Sequence, residues 1–492
     1  MPLADNEWSE HTWRKKILDC QLCVKAEAIK RLAQKLEHGG DFPTDTPKKL
    51  SQLIKHTAGL IGQYLPATPS DQLRNVNWLL CEMAAHLRYV ERSRVANTPW
   101  SMIHGAEEFL RRQAGTSSHF IIRPQWGYNY QLISEFVEVY RINFRGLTWI
   151  PFADWEASIG SLATEKIYCL SFPRIERLNC LLHASWGHEV GHIIAAEWIE
   201  NRFDQVWGPE EAQIQATMEH EIQQEFLQNP QLNQVDAAFA NYFIQEVAAD
   251  RVNEAMEVAK QGLTELICDA IGVHLLGPAA LAAAIEFSAP LSIDANPLTC
   301  DMYPPWRYRI RLMVKECEED LKPHTIKLDS DEVNYPGPII EPFYNWLRES
   351  IDLVQNRGDI QSIRATITTR EAYRVIEANW EMIRNEALQY LPAASAAPYR
   401  LFEHIRSVED LVRRLQQDTP PNEIGKWPNT SPACLEDILN AAWAFKLQKT
   451  STDPSWGSPD DFEKLFRLVL KGMEVSFVHS TFGPELKKLE QQ

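Results

Sequence analysis

Apolar residues recur every three to four positions through most of this chain, which is the helical period. From about Trp8 to His38 they follow one amphipathic face that stops at Gly39-Gly40, a helix C-cap signal. Asp41–Lys49 is turn-rich, and the same period predicts helices over about Leu50–Leu65, Ser70–Ser93 and Trp100–Gly115. The texture then changes. His119–Arg123, Gly146–Ile150 and Lys166–Ser171 are short β-branched or aromatic runs bounded by Gly, Pro and Asn. They predict a small sheet between about 117 and 173. Helical periodicity returns from Leu178 to Phe287, broken at Gly277-Pro278. Pro290–Pro305 reads as loop, and a helical region continues to about Gln417. Thr419–Pro432 reads as a linker before a small helical cap. The expected fold is therefore mostly α with a small β-sheet (α+β). Four regions are expected: helical 1–115; 116–315, with the sheet and then the helices of 178–287; helical 316–418; and the cap, 419–492.

Composition narrows the picture. A chain of 492 residues with 45% hydrophobic content and 16 tryptophans has ample material for a packed core. Its net charge of −18 argues against nonspecific nucleic-acid binding and against an anionic membrane surface. No apolar run reaches spanning length, and the first thirty residues are charged and amphipathic rather than leader-like. Nine scattered cysteines fit reduced thiols, so a cytoplasmic location is expected. Cys20 and Cys23 form a lone CxxC inside a helical pattern, and a buried helix face is the expected reading.

Candidate chemistry centres on His188-Glu189-Val190-Gly191-His192, an HExxH pentapeptide within an expected helix, Leu181–Glu200. One helical turn separates the histidines, so both imidazoles leave one face and can bind one metal ion. Glu189 stands where a carboxylate can take a proton from a water at that metal. Catalytic zinc wants three protein ligands and an open position. Three residues beyond His192 the sequence has Ala195 and then Trp198, which excludes the short metzincin pattern. Gluzincins take the third ligand from a Glu on a second helix, with an Asp four residues later orienting a ligand histidine. Glu246 with Asp250, and Glu265 with Asp269, both have this spacing. Glu265 and Asp269 lie in the apolar stretch Leu263–Leu281, where buried carboxylates need a cation or hydrogen bonds. Glu246 lies among polar residues that solvent can serve. Glu265 is favoured, and Glu246 with Asp250 stays the alternative.

The chain resembles gluzincin-type zinc metallopeptidases, in particular prokaryotic cytoplasmic proteins with HExxH followed by an ExxxD segment ending in Gly-Pro-Ala. Asp269 to Gly277-Pro278-Ala279 carries that segment. A Pro-Pro-x-x-x-Arg stretch, here Tyr303–Arg309, and the run Leu170–His183 ahead of Gly187 are similar as well. The likeness covers about residues 165–315. It implies a zincin-like catalytic domain with one zinc ion held by His188, His192 and Glu265. Glu189 would then be the base, and Asp269 the acid that orients a ligand histidine.

The reaction expected is hydrolysis of a protein or peptide substrate, with the flanking helices restricting access or sensing a regulatory protein partner. Two other functions stay open. One is a metal-stabilised binding or scaffold protein whose fourth position is closed, for instance by Cys268 or His274. The other is a hydrolase of non-peptide amides. Lys166–Ser171 reads equally as an edge strand that receives a peptide or as an interior strand. Tyr303 and Arg309 can grip a substrate carbonyl or oxyanion; the plainer reading pairs Arg309 with a structural acid and packs Tyr303. His183 and His274 are expected as hydrogen-bonded core histidines, and His220-Glu221 as surface.

Overall fold

The helical period is realised along most of the described residues. A computed structural model describes residues 10–490 apart from 99, 116, 128, 229–236, 289–302, 329–330, 356–365 and 426–428. Trp8 and most of the expected loop 290–305 lie outside the described residues. The fold is mostly α with small sheets, as expected. Two compact units divide at Arg177 and Leu178, so the expected region 116–315 spans the division.

The first unit opens with α1 (Glu10–Gly39), α2 (Thr46–Tyr64), α3 (Leu73–Arg92) and α4 (Trp100–Ala114). Leu50, Leu53, Ile54, Ala58 and Ile61 of α2 repeat at helical spacing and are buried with Leu22, Ala26, Ile29 and Ala33 of α1. Three strands follow: β1 (Ser118–Gln125), β2 (Gln131–Ile133) and β3 (Lys166–Pro173). They form one sheet in the order β1-β3-β2. β3 runs parallel to β1, Ser118 to Gln125 facing Lys166 to Pro173, and antiparallel to β2 at Cys169–Ser171. Lys166–Ser171 is thus the central strand of its sheet, and the edge-strand reading falls.

The strand expected over Gly146–Ile150 is absent. Those residues are a turn, because the Leu147 and Ile150 N–H groups bond back to Phe144 O and Leu147 O at 3.0 and 3.1 Å. A helix that periodicity did not reveal precedes it, α5 (Phe136–Arg145), with Phe136, Val137, Tyr140 and Phe144 buried. Glu135 caps it, accepting from Val137 N and Glu138 N at 2.7 and 2.9 Å. A short α6 (Phe152–Ile159) follows. On α1, Cys20 is exposed and Cys23 half-buried, so the buried-face reading of the CxxC holds for neither thiol fully.

The second unit is built on α7 (Trp186–Gln228) and α8 (Ala237–Leu276), which pack along each other. The helix bearing HExxH begins five residues later than expected, because Cys180–Ser185 is a 3₁₀ turn. α9 (Pro278–Ser288) continues beyond a break at Gly277, whose φ of +59° only glycine adopts readily. Asn440 bridges the break: its amide donates to Leu276 O at 2.9 Å and accepts from Ala279 N at 3.0 Å. α10 (Trp306–Glu316) packs on α8, and α12 (Ile367–Leu388) on both α7 and α8. Between them are α11 (Glu341–Gln355) and a hairpin of β4 (His324–Leu328) with β5 (Asp331–Tyr335), where helix was expected. The unit closes with α13 (Ile405–Gln416), the two-residue strands β6 (Glu423–Ile424) and β7 (Ser431–Pro432), α14 (Leu435–Thr452) and α15 (Pro459–Glu490).

Candidate metal centre

The centre lies where α7 and α8 come closest. Glycine makes the approach possible. A Cβ on Gly191 would stand 2.5 Å from Cys268 Cα, and one on Gly187 would stand 2.9 Å from Gly272 Cα. Both are backbone collisions, so no larger residue fits without moving a helix. Small residues four apart on both helices, Gly187 with Gly191 and Cys268 with Gly272, are the signal for this contact. The sequence contains that signal, but four-residue spacing of small residues alone does not say which two helices cross.

The crossing brings His188, Glu189 and His192 of α7 against Glu265, Cys268 and Asp269 of α8. The His188 and His192 rings lie 5.1 Å apart, nearly perpendicular. His188 Nδ1 lies 2.8 Å from Asp269 Oδ1. An ionised carboxylate only accepts, so Nδ1 carries a proton, and in the neutral imidazole the Nε2 lone pair is then left for another partner. Glu265 Oε2 lies 3.5 Å from that Nε2. Two ligand atoms on one tetrahedral metal, with bonds of about 2.0–2.1 Å, lie about 3.4 Å apart. The observed separation matches that spacing. The group whose ligand atoms all lie within 4.8 Å of one another, and which could hold a metal ion, is His188, His192 and Cys268; the expected third ligand, Glu265, approaches His188 but is not in that group.

Electrostatics follow from burial and pairing. Glu189, Glu265 and Asp269 are 4%, 8% and 3% exposed. Burial works against the Asp269 carboxylate, but the Arg309 guanidinium and the His188 hydrogen bond hold it well below the usual range. Burial would lower the His188 imidazole; the Asp269 bond and the two nearby carboxylates outweigh it, and the net direction is upward. Burial, then the charge of His188, pushes His192 down to about 4, which leaves it a neutral donor at physiological pH. Burial and the charges of Glu265, Asp269 and Glu189 push the Cys268 thiol well up.

The other candidates fall elsewhere. Glu246 and Asp250 are exposed on α8. Arg309, 4% exposed, pairs with Asp269 and Glu265 at 2.7 and 2.9 Å, and Tyr303 is half-buried. His183 is fully buried and stacks on Trp186 at 4.4 Å between ring centres. His274 donates from Nε2 to Ser395 O at 3.0 Å, and His220 is exposed. No family model, no curated protein and no solved structure matches the chain. Among the described residues no helix is long and apolar enough to cross a membrane.

Proposed function

We propose that the chain is a zinc-dependent metallopeptidase of the gluzincin type, hydrolysing peptide bonds in a restricted set of cytoplasmic proteins. One observation supports this above the rest. Glu265 faces the Nε2 of an imidazole whose Nδ1 is held by Asp269, at a spacing two ligands of one ion would have. The donor set of two imidazoles and a carboxylate suits zinc. His188, His192 and Glu265 would hold the ion, which when bound supplies Lewis acidity toward a water and the scissile carbonyl. Glu189 takes the proton of the attacking water and hands it to the leaving amine. Asp269 keeps His188 in one tautomer and one orientation. The restricted substrate range rests on proportion: among the described residues, the many helices outside this crossing contribute no other candidate metal group.

Elemental analysis of protein prepared without added metal tests the site. About one zinc per chain is expected. Replacing both His188 and His192 by Ala should remove it. Glu265→Gln should weaken it strongly, while Glu246→Gln at its exposed position should leave it unchanged. Zinc retained without the two histidines refutes the site; loss on Glu246→Gln reverses the choice of third ligand.

A structural metal is the second reading, and Cys268 favours it, because its sulfur groups with both histidines. A thiol kept protonated by burial and neighbouring carboxylates becomes a ligand once a cation displaces its proton. Cobalt substitution separates the readings. An intense near-ultraviolet sulfur-to-cobalt band, lost in Cys268→Ser, would make Cys268 a ligand, and together with a retained Glu265 it would close the fourth position to water. The peptidase reading expects no such band.

A further inference from the structure

Arg309 is the cation at the crossing, and all three of its guanidinium nitrogens are used there. Nε donates to Asp269 Oδ2 at 2.7 Å, and Nη2 to Asp269 Oδ1 at 2.8 Å. Nη1 pairs with Glu265 Oε2 at 2.9 Å. One planar fork thereby ties together two carboxylates that stand one turn apart on α8. Asp269 Oδ1 is the same oxygen that lies 2.8 Å from His188 Nδ1, so the fork fixes the plane from which His188 is oriented. The fork is itself held: its guanidinium carbon lies 4.4 Å from the centre of the Trp306 ring. Trp306 opens α10 directly after Pro304-Pro305, and the Arg309 N–H bonds to Pro305 O at 3.1 Å.

Charge gives the arrangement its purpose. Two nearly dry carboxylates without a partner are costly, and an apo site built from them would splay or take up protons. Arg309 neutralises one of the two charges and leaves one. The metal-free site is then tolerable to the fold yet still attracts a divalent cation. A lysine in its place keeps the charge, but its ammonium cannot bind one carboxylate in two parallel bonds while pairing the other.

We infer that Arg309 is a positioning residue of the metal site: it holds Asp269 against His188 and Glu265 toward the same imidazole, so the ligands are arranged before the ion arrives. Arg309 acts chiefly through the two acids, and its Nη2 also lies 3.5 Å from His188 Nδ1. The inference rests on the metallopeptidase reading, and its test does not use activity. Zinc affinity is measured by competition with a chromophoric chelator in wild type, Arg309→Lys and Arg309→Met, with the visible spectrum of the cobalt-loaded forms and thermal unfolding in chelator. Arg309→Lys should stay folded, bind zinc about 10–100-fold more weakly and show a shifted cobalt spectrum. Arg309→Met should unfold on the order of 10 °C lower in chelator and regain part of that with zinc. If the methionine variant does not fold, the lysine variant alone decides. Wild-type zinc affinity and an unchanged cobalt spectrum in Arg309→Lys overturn the inference while the metallopeptidase reading stands. A wild-type chain that takes up no divalent cation overturns both.

Discussion

Glu189→Gln is expected to keep its metal and its fold and to lose peptide hydrolysis by about 10²–10⁴-fold. The amide has the shape of the carboxylate but cannot accept a proton from water and return it to an amine. Glu189 follows His188 in the first turn of α7 and is 4% exposed. Its charge acts on Cys268 across the crossing, in surroundings where a charge is poorly screened. Cleavage of a peptide library, read by mass spectrometry, reports the loss and also the breadth of the substrate range. Unaltered cleavage would mean that another group handles the proton. Metal lost with the change would mean that Glu189 is a ligand, and the proposed ligand set would have to be redrawn. A library left intact by wild type, with hydrolysis of simple amides that Glu189→Gln abolishes, would move the chain to the non-peptide reading.

How much of this was legible beforehand depended on range. The apolar stretch Leu263–Leu281 carries its own evidence that Glu265 and Asp269 are buried, and they are, whereas Glu246 and Asp250 are exposed. Burial of a helix is written in local composition, so it can be read locally. Pairing is not. Arg309 was expected to meet some acid, but nothing in the spacing showed that one guanidinium would meet both members of the ExxxD pair. That depends on α10 packing on α8, a tertiary contact.

Errors in the fold have the same origin at a smaller scale. Leu147 and Ile150 are both 3% exposed, so the apolar run Gly146–Ile150, expected as a strand, is interior without being one. Burial alone does not distinguish a strand from a turn whose N–H groups are satisfied within the chain. The β4–β5 hairpin fails in reverse. Its strands are five residues each and lie between long helical runs, too short for a period of two to stand out. Asn440, which holds the α8–α9 break, gave no signal at all, since a buried asparagine on an apolar helix states a need for partners but not where they are.

Gly191→Ala is expected to destabilise the second unit by about 1–3 kcal/mol and to weaken metal binding with it. The sign is opposite to intrinsic propensity, since Ala is the better helix former by about 1 kcal/mol. Packing overrides propensity here. The new methyl would stand 2.5 Å from Cys268 Cα, 3.0 Å from its Cβ and 3.1 Å from its carbonyl oxygen. Carbon atoms in contact settle about 3.5–4.0 Å apart, so α8 must retreat by about 1 Å. None of the three atoms is the end of a flexible side chain, so the helix itself has to move. Glu265 and Asp269 retreat with it. A metal site tolerates errors of only about 0.2 Å in its bond lengths, so a shift of that size opens it even where the fold survives. Gly59→Ala on α2 is the matched control. Its methyl would meet only the Lys30 side chain, at 3.7 and 3.9 Å, and the change should be neutral or stabilising by up to about 1 kcal/mol. Thermal unfolding and zinc content of the two variants, measured side by side, give the comparison. Wild-type stability and full zinc in Gly191→Ala would mean that α7 and α8 do not approach this closely. The crossing that sets Glu265 opposite His188 would then be wrong at its centre.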